Sequence, residues 1–128
     1  MHIVFGGLFN GKRAYVKKEY NPNCNVTHDI ENVRVSHKTV SIENFPQIIK
    51  PYIHLDEVEA CEKIMAEILR IAELNEVVCV CDDVSRGVVP IDKALRKQRD
   101  ILGRLYQQLF SQAKTITRIW YGIPEKLK

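Results

Sequence analysis

Apolar and polar positions along this chain follow two different periods, one typical of strands and the other of helices. Short apolar runs rich in β-branched side chains occupy residues 2–5, 76–81 and 115–121, as in buried strands. Residues 55–74 and 92–113 instead place apolar side chains three and four positions apart, with charged residues between them. The pattern therefore predicts buried strands separated by long amphipathic helices.

Weaker signals fill the intervals between these elements. The remaining predicted segments are a helix at residues 11–20, a loop at 21–25, short strands at 32–36 and 39–43, and a loop at 82–90. Gly122 and Pro124 are expected to end the last strand.

The alternation of strands and helices predicts a mostly parallel sheet, because a parallel crossover needs a return segment about as long as a helix. Helices should then cover both faces, giving a doubly wound, three-layer α/β/α domain. Ligands of such sheets bind at the carboxyl ends of the strands. Residues 6–12, 43–44 and 82–87 are therefore predicted to meet at one rim.

Composition narrows the class of protein. A chain of 128 residues, 45% hydrophobic and 27% charged, is predicted to form a single domain over residues 1–128. Its charge of +3 is scattered, which argues against nucleic acid as a partner, and no apolar stretch reaches the roughly 20 residues of a membrane span. The cysteines lack paired spacing and no signal peptide precedes Ile3, so a cytoplasmic protein with reduced thiols is expected. Cys79 and Cys81 are expected to pack inside a strand.

Residues 6–12 match the pattern GxxxxGK, directly after a predicted strand and at the start of a predicted helix. In such loops glycines permit the tight turn, backbone N–H groups and the helix N-terminus face phosphate oxygens, and the lysine supplies a full positive charge. The residues predicted to bind a nucleotide are Gly6, Gly7, Leu8, Phe9, Asn10, Gly11, Lys12, Arg13, Asp82 and Asp83. Lys12 is also predicted to act in catalysis.

Arg13 departs from the pattern, because Ser or Thr usually stands at this position and offers a hydroxyl to Mg²⁺. A guanidinium cannot bind a cation, so Arg13 either neutralises phosphate or points into solvent. Glu43 is predicted to hold the Mg²⁺ or to orient a nucleophilic hydroxyl, although a strand-terminal Glu can also be merely solvated. Asp82 and Asp83 either share this role or serve as turn residues.

Residues 82–108 and the chain ending YGIPEKLK resemble the adenosylcobinamide kinase/adenosylcobinamide-phosphate guanylyltransferase family of cobalamin biosynthesis. That family carries an N-E-V-G-x-G-I-V-P loop, an R-x-x-R-D-x-x-G-R-x-N-Q helix and a closing G-I-P-x-x-L-K. The residues that keep this pattern are Gly87, Val89, Pro90, Arg96, Arg99, Asp100, Gly103, Arg104, Gln107 and Gly122. Residues 6–12 also match the family's N-terminal G-G-x-x-S-G-K-S.

The resemblance implies two activities. One transfers the γ-phosphoryl of ATP or GTP to the aminopropanol hydroxyl of a corrinoid, and the other transfers GMP through a guanylylated histidine. It also implies Mg²⁺, nucleotide and corrinoid ligands, and a homo-oligomer. The family's H-R-x-x-R histidine motif is absent, and neither His28 nor His37 has its flanking arginines. The sequence thus favours a kinase, with a catalytically degenerate nucleotide- or corrinoid-binding protein as the alternative.

Overall fold

One six-stranded sheet organises the protein, which is described by a computed structural model over residues 1–7, 10–83 and 92–128. The strands are β1 (His2–Gly6), β2 (Cys24–Val26), β3 (Thr39–Ile42), β4 (Glu76–Asp82), β5 (Thr115–Trp120) and β6 (Ile123–Lys126). The helices are α1 (Lys12–Tyr20), α2 (Phe45–Ile49), α3 (Glu57–Leu74) and α4 (Lys93–Gln112), with 3₁₀ turns at Ile30–Asn32 and Lys50–Tyr52. The strand order is β2-β3-β4-β1-β5-β6, parallel up to β5, with β6 antiparallel at the edge.

Helices cover both faces of the sheet, so the predicted mostly parallel α/β fold is confirmed. Helix α1 places Val16 against a small cluster that includes Val4, Val78 and Val80. The opposite face carries the larger core, built with α2, α3 and α4. Successive residues of β4 alternate between the two cores, which explains its uninterrupted apolar sequence.

The buried thiols of β4 behave as packing groups, as the sequence predicted. Cys79 and Cys81 are almost completely buried, and burial raises the pKa of Cys79 to about 12 and that of Cys81 well above its usual value. Both therefore stay protonated near neutral pH. All four cysteines lie in the described part of the chain and are free. Within that part, no helix has the length and hydropathy needed to cross a membrane.

The strand predicted at residues 32–36 is wrong. This segment lies outside the sheet. Side chains from α3 and from the residue after it donate the hydrogen bonds that a neighbouring strand would otherwise donate. Arg70 donates hydrogen bonds to the carbonyls of Ile30 and Val33, and Asn75 donates to the carbonyl of Val35. With these carbonyls satisfied by side chains, the segment needs no ladder partner.

Two strands were missed, both at edges of the sheet. The predicted loop at residues 21–25 overlaps β2, whose three residues are too few for a periodic pattern. Beyond Gly122 the chain turns back as β6 rather than ending the sheet, and Pro124 is tolerated there because an edge strand can lack one N–H donor. Helix α2 was not predicted either, and it follows β3 after Asn44 adopts a left-handed conformation.

The strand order creates a crevice between β1 and β4. From β1 the chain crosses through α1 on one face to reach β2, whereas from β4 it crosses through α4 on the other face to reach β5. The connections from the neighbouring strands β1 and β4 therefore run towards opposite edges of the sheet. This arrangement opens a ligand site at the carboxyl ends of the strands in an α/β sheet.

We expect Gly6→Ala to destabilise the fold by about 1–3 kcal/mol, because a forced overlap in a packed region costs that much. A Cβ at this position would lie 2.6 Å from the carbonyl oxygen of Ile119, and backbone there cannot move without disturbing β5. Urea unfolding measures the change. Gly103→Ala in α4 is the matched control, since its added Cβ meets no described atom within 4 Å and should slightly stabilise the helix. Equal stability of Gly6→Ala and wild type would contradict the expected clash.

Candidate active site

The described part of the segment after β1 leads directly into the N-terminus of α1. Gly11 adopts a left-handed conformation with φ 87° and precedes α1 as its N-cap. Among the described residues no side chain caps the helix, and its first turn contains no acidic residue. The free N–H groups and positive end of the helix dipole therefore face the rim of the sheet, where they favour an anion. Leu8 and Phe9, also predicted to contact nucleotide, lie outside the described residues.

Lys12 points into the rim and not into solvent. Only 6% of the residue is exposed, and its Nζ donates to the carbonyl of Gly7 at 2.6 Å and pairs with Asp82 Oδ1 at 2.8 Å. The ammonium group is thus held between the loop and the end of β4. A phosphate entering the crevice would meet a positive charge that is already positioned and partly desolvated.

The β5–β6 hairpin supports the loop from the other side. Tyr121 and Gly122 both have positive φ, 48° and 80°, as the two central residues of a tight type I′ hairpin require. Gly122 donates its N–H to the carbonyl of Asn10 at 2.8 Å, and a Cβ on Gly11 would lie 3.3 Å from the Gly122 Cα. The backbone of the loop is therefore fixed by a hairpin more than 100 residues away in sequence.

Glu43 is a nearly buried carboxylate at the carboxyl end of β3. The residue is 8% exposed, and its Oε1 accepts a hydrogen bond from Asn25 Nδ2 at 3.3 Å. Ser41 holds Asn25 in turn, donating to its Oδ1 at 2.8 Å. Arg13 lies 3.3 Å from the same carboxylate oxygen, but its side chain is 77% exposed, so the ion pair contributes little stability.

The structure brings six of the predicted site residues together around one cleft. A cleft of about 400 Å³ is lined by residues of the loop, α1 and β4 and by the two residues that follow β3. Among its lining residues are Asn10, Gly11, Lys12, Arg13, Glu43, Asn44 and Asp82. Asp83 anchors the neighbouring edge by donating its N–H to the carbonyl of Gly6 at 2.8 Å. Residues 84–87, predicted for the same rim, lie outside the described residues.

The side chains of the cleft are suited to a cation that arrives bound to a nucleotide. They are less suited to a cation held by protein ligands alone. No group of three metal-binding side chains occurs among residues 1–7, 10–83 and 92–128. Mg²⁺ commonly binds through one or two carboxylates, several waters and the phosphates of the substrate. Glu43 and Asp82 supply two carboxylates around one cleft, so this donor set is compatible with Mg²⁺.

A family model described as cobinamide kinase / cobinamide phosphate guanyltransferase matches residues 10–127. The chain belongs to this family. The match extends from the last part of the phosphate loop to β6, and it includes Lys12, Glu43 and Asp82. No curated protein matches the chain. Membership of the cobinamide kinase/guanyltransferase family places the chain among nucleotide-using transferases of cobalamin biosynthesis.

The fold separates His28 and His37, neither of which has the flanking arginines of the family's histidine motif. His28 follows the carboxyl end of β2, on the rim where Glu43 N–H bonds the carbonyl of Val26. His37 precedes the amino end of β3 and donates its backbone N–H to the carbonyl of Leu74 on the opposite rim. Only His28 of this pair therefore lies at the level of the phosphate loop, and its side chain is exposed.

Sequence reasoning missed Asn25, although the structure places it beside Glu43. The residue lies on β2, within the predicted loop at residues 21–25, and pairs in register with Ser41. No spacing in the chain signals this contact, because it depends on the register between two short strands that are 12 residues apart.

Proposed function

We propose that this chain is a nucleotide-dependent kinase that phosphorylates the alcohol of a cobinamide. The observation that carries the proposal is the convergence of Lys12, Glu43 and Asp82 on one cleft at the N-terminus of α1. A phosphoryl transferase needs cationic and N–H groups around the phosphates and a carboxylate that can accept a proton near the acceptor, and the cleft has both. Family membership supplies the substrate class.

In this proposal the loop and α1 hold the phosphates of ATP or GTP, and Lys12 leaves Asp82 to contact the terminal phosphates. The acceptor hydroxyl oxygen attacks the γ-phosphorus as the bond from that phosphorus to the bridging oxygen breaks. The nucleoside diphosphate leaves with the bond electrons, and Glu43 takes the hydroxyl proton. The side chain of Asn25 keeps the Glu43 carboxylate directed at the cleft. Bound Mg²⁺, held by Glu43 or Asp82 with phosphate oxygens, would neutralise charge on the phosphates.

A second candidate function is a binding protein of the same fold that no longer transfers phosphoryl groups. Arg13 favours this candidate, since it replaces a hydroxyl ligand and lies beside the Glu43 carboxylate. A guanidinium in this place competes with Mg²⁺ for Glu43. Guanylyl transfer by the same chain would need a nucleophile such as His28, whose surroundings lack the family's arginines.

The decisive experiment measures release of ADP or GDP in the presence of adenosylcobinamide and Mg²⁺. The kinase proposal predicts release that depends on both additions, with phosphorylated cobinamide as the second product. Calorimetry measures the affinity for ATP and for GTP in the same preparations. Nucleotide binding without corrinoid-dependent release would reject the kinase and leave the binding protein.

A further inference from the structure

Tyr121 is an exposed aromatic residue at the tip of the β5–β6 hairpin. Solvent reaches 82% of the residue, and no other aromatic residue in the described part of the chain is exposed. Its backbone has a φ of 48°, a left-handed conformation that bulky side chains rarely adopt. Asn, Asp or Gly would suit this turn position better. Neither burial nor turn geometry therefore accounts for a tyrosine here.

The hairpin holds the Tyr121 ring in a fixed position. The ring centroid of Trp120, the preceding residue, lies 6.4 Å from that of Tyr121. The guanidinium of Arg118 lies 5.1 Å from the centre of the Trp120 ring and pairs with Glu125 of β6 at 2.7 Å. Aromatic and cation–π contacts of this kind restrict how the rings can move. The exposed ring is thus supported from below by two strands.

The tip of this hairpin contacts the phosphate-binding loop. Gly122 donates its N–H to the carbonyl of Asn10 at 2.8 Å, and a Cβ on Gly11 would lie 3.3 Å from the Gly122 Cα. Because β5 is parallel to β1, the carboxyl ends of both strands lie at the same rim. Tyr121 therefore neighbours, in sequence, a residue that is in direct contact with the loop.

The strand order indicates which end of a nucleotide would lie near the hairpin. Strand β1 lies between β4 and β5, and Lys12 points towards β4, where it pairs with Asp82 at 2.8 Å. Glu43 lies one strand further in the same direction, after β3. Since the lysine of a phosphate loop contacts the terminal phosphates, these belong on the β4 side. The base is at the opposite end of the molecule, which favours the β5 side, where Tyr121 lies.

We propose that Tyr121 is the platform on which the base of the bound nucleotide stacks. Its ring offers a flat apolar surface to a ligand held in the loop, and a base stacks favourably on such a surface because its own face is a π-system. The ligand is a purine nucleoside triphosphate, ATP or GTP. This assignment rests on the nucleotide site of the proposed function and does not require phosphoryl transfer.

Tyr121→Asn tests the assignment, because asparagine removes the ring and suits the left-handed turn position. Calorimetry at one Mg²⁺ concentration compares ATP and GTP with inorganic triphosphate, which has the phosphates but no base. We expect affinity for ATP and GTP to fall on the order of tenfold, as when one base–aromatic stack is lost. Affinity for inorganic triphosphate should stay at its wild-type value. Urea unfolding should show that the variant remains folded.

Two further variants separate stacking from other effects of the substitution. Tyr121→Phe keeps the ring and should bind all three ligands as wild type does. Leu127→Asn replaces another exposed apolar residue, 52% accessible, beyond the far end of β6, where its N–H bonds the carbonyl of Ile116. This position is remote from the loop, so the variant should change none of the three affinities.

The contrary results differ in what they mean. Wild-type affinity for ATP and GTP in Tyr121→Asn overturns the stacking platform. An equal loss of affinity for inorganic triphosphate also overturns it, because the residue then supports the loop and not the base. A changed mass in sedimentation with unaltered nucleotide affinity overturns it in favour of a contact between copies of the chain. Selective loss of ATP and GTP affinity supports the platform even if wild type releases no ADP or GDP, and the kinase proposal alone then fails.

Discussion

Replacing Lys12 with Met should weaken ATP and GTP binding by about 1.5–3 kcal/mol and reduce turnover by a further factor on the order of 10²–10³. The ammonium makes a charge-assisted contact with phosphate that methionine cannot replace, whereas the aliphatic stem still fills its nearly buried position. The effect on turnover exceeds that on binding because charge on the phosphates grows in the transition state. Calorimetry and initial rates measure the two quantities separately.

Two controls test whether the effect of Lys12→Met is due to the lost phosphate contact. Lys18→Ala removes an exposed lysine of the same helix and should change both quantities little, which excludes a general effect of net charge. Urea unfolding should show that Lys12→Met remains folded, because Asp82 is 36% exposed and can be hydrated without its partner. Unchanged nucleotide affinity in a folded Lys12→Met protein would refute the phosphate loop.

The central strands and long helices were predictable because each repeats its pattern over many residues. Strand β4 is buried on both faces and reads as an apolar run, and α3 and α4 show a clear helical stripe preceded by the capping residues Asp56 and Asp92. The meeting of the loop, Glu43 and Asp82 at one rim followed from parallel pairing alone.

The missed features depend on contacts between distant segments. Residues 32–36 were predicted as a strand from their composition, yet Arg70 and Asn75 bind carbonyls of this segment, and no local pattern reveals that. The same holds for the Gly122 hairpin, whose N–H supports Asn10 in the phosphate loop. Local sequence decides which elements form, whereas the exact partners of a site residue depend on register and packing.

Glu43→Gln should lower turnover by a factor on the order of 10²–10⁴, the usual contribution of a positioned acid or base. Glutamine keeps the shape of the side chain and an oxygen that can accept from Asn25, but it loses the charge that takes a proton or holds Mg²⁺. Nucleotide affinity measured without Mg²⁺ should not fall and should rise slightly, since the Glu43 carboxylate repels phosphate. Initial rates across a Mg²⁺ titration provide the measurement.

Arg13→Ala separates the two ways in which Glu43 can act. The Arg13 side chain is mostly exposed and pairs with Glu43, so its removal leaves the carboxylate in place and frees the oxygen that it shares with Asn25. If Glu43 holds Mg²⁺, Arg13→Ala should reach half-maximal turnover at a lower Mg²⁺ concentration than wild type, because a competing cation is gone. If Glu43 only orients the hydroxyl, that concentration stays the same. Loss of Mg²⁺-free nucleotide affinity in Arg13→Ala would instead assign the guanidinium to phosphate, and full turnover in Glu43→Gln would remove Glu43 from the mechanism.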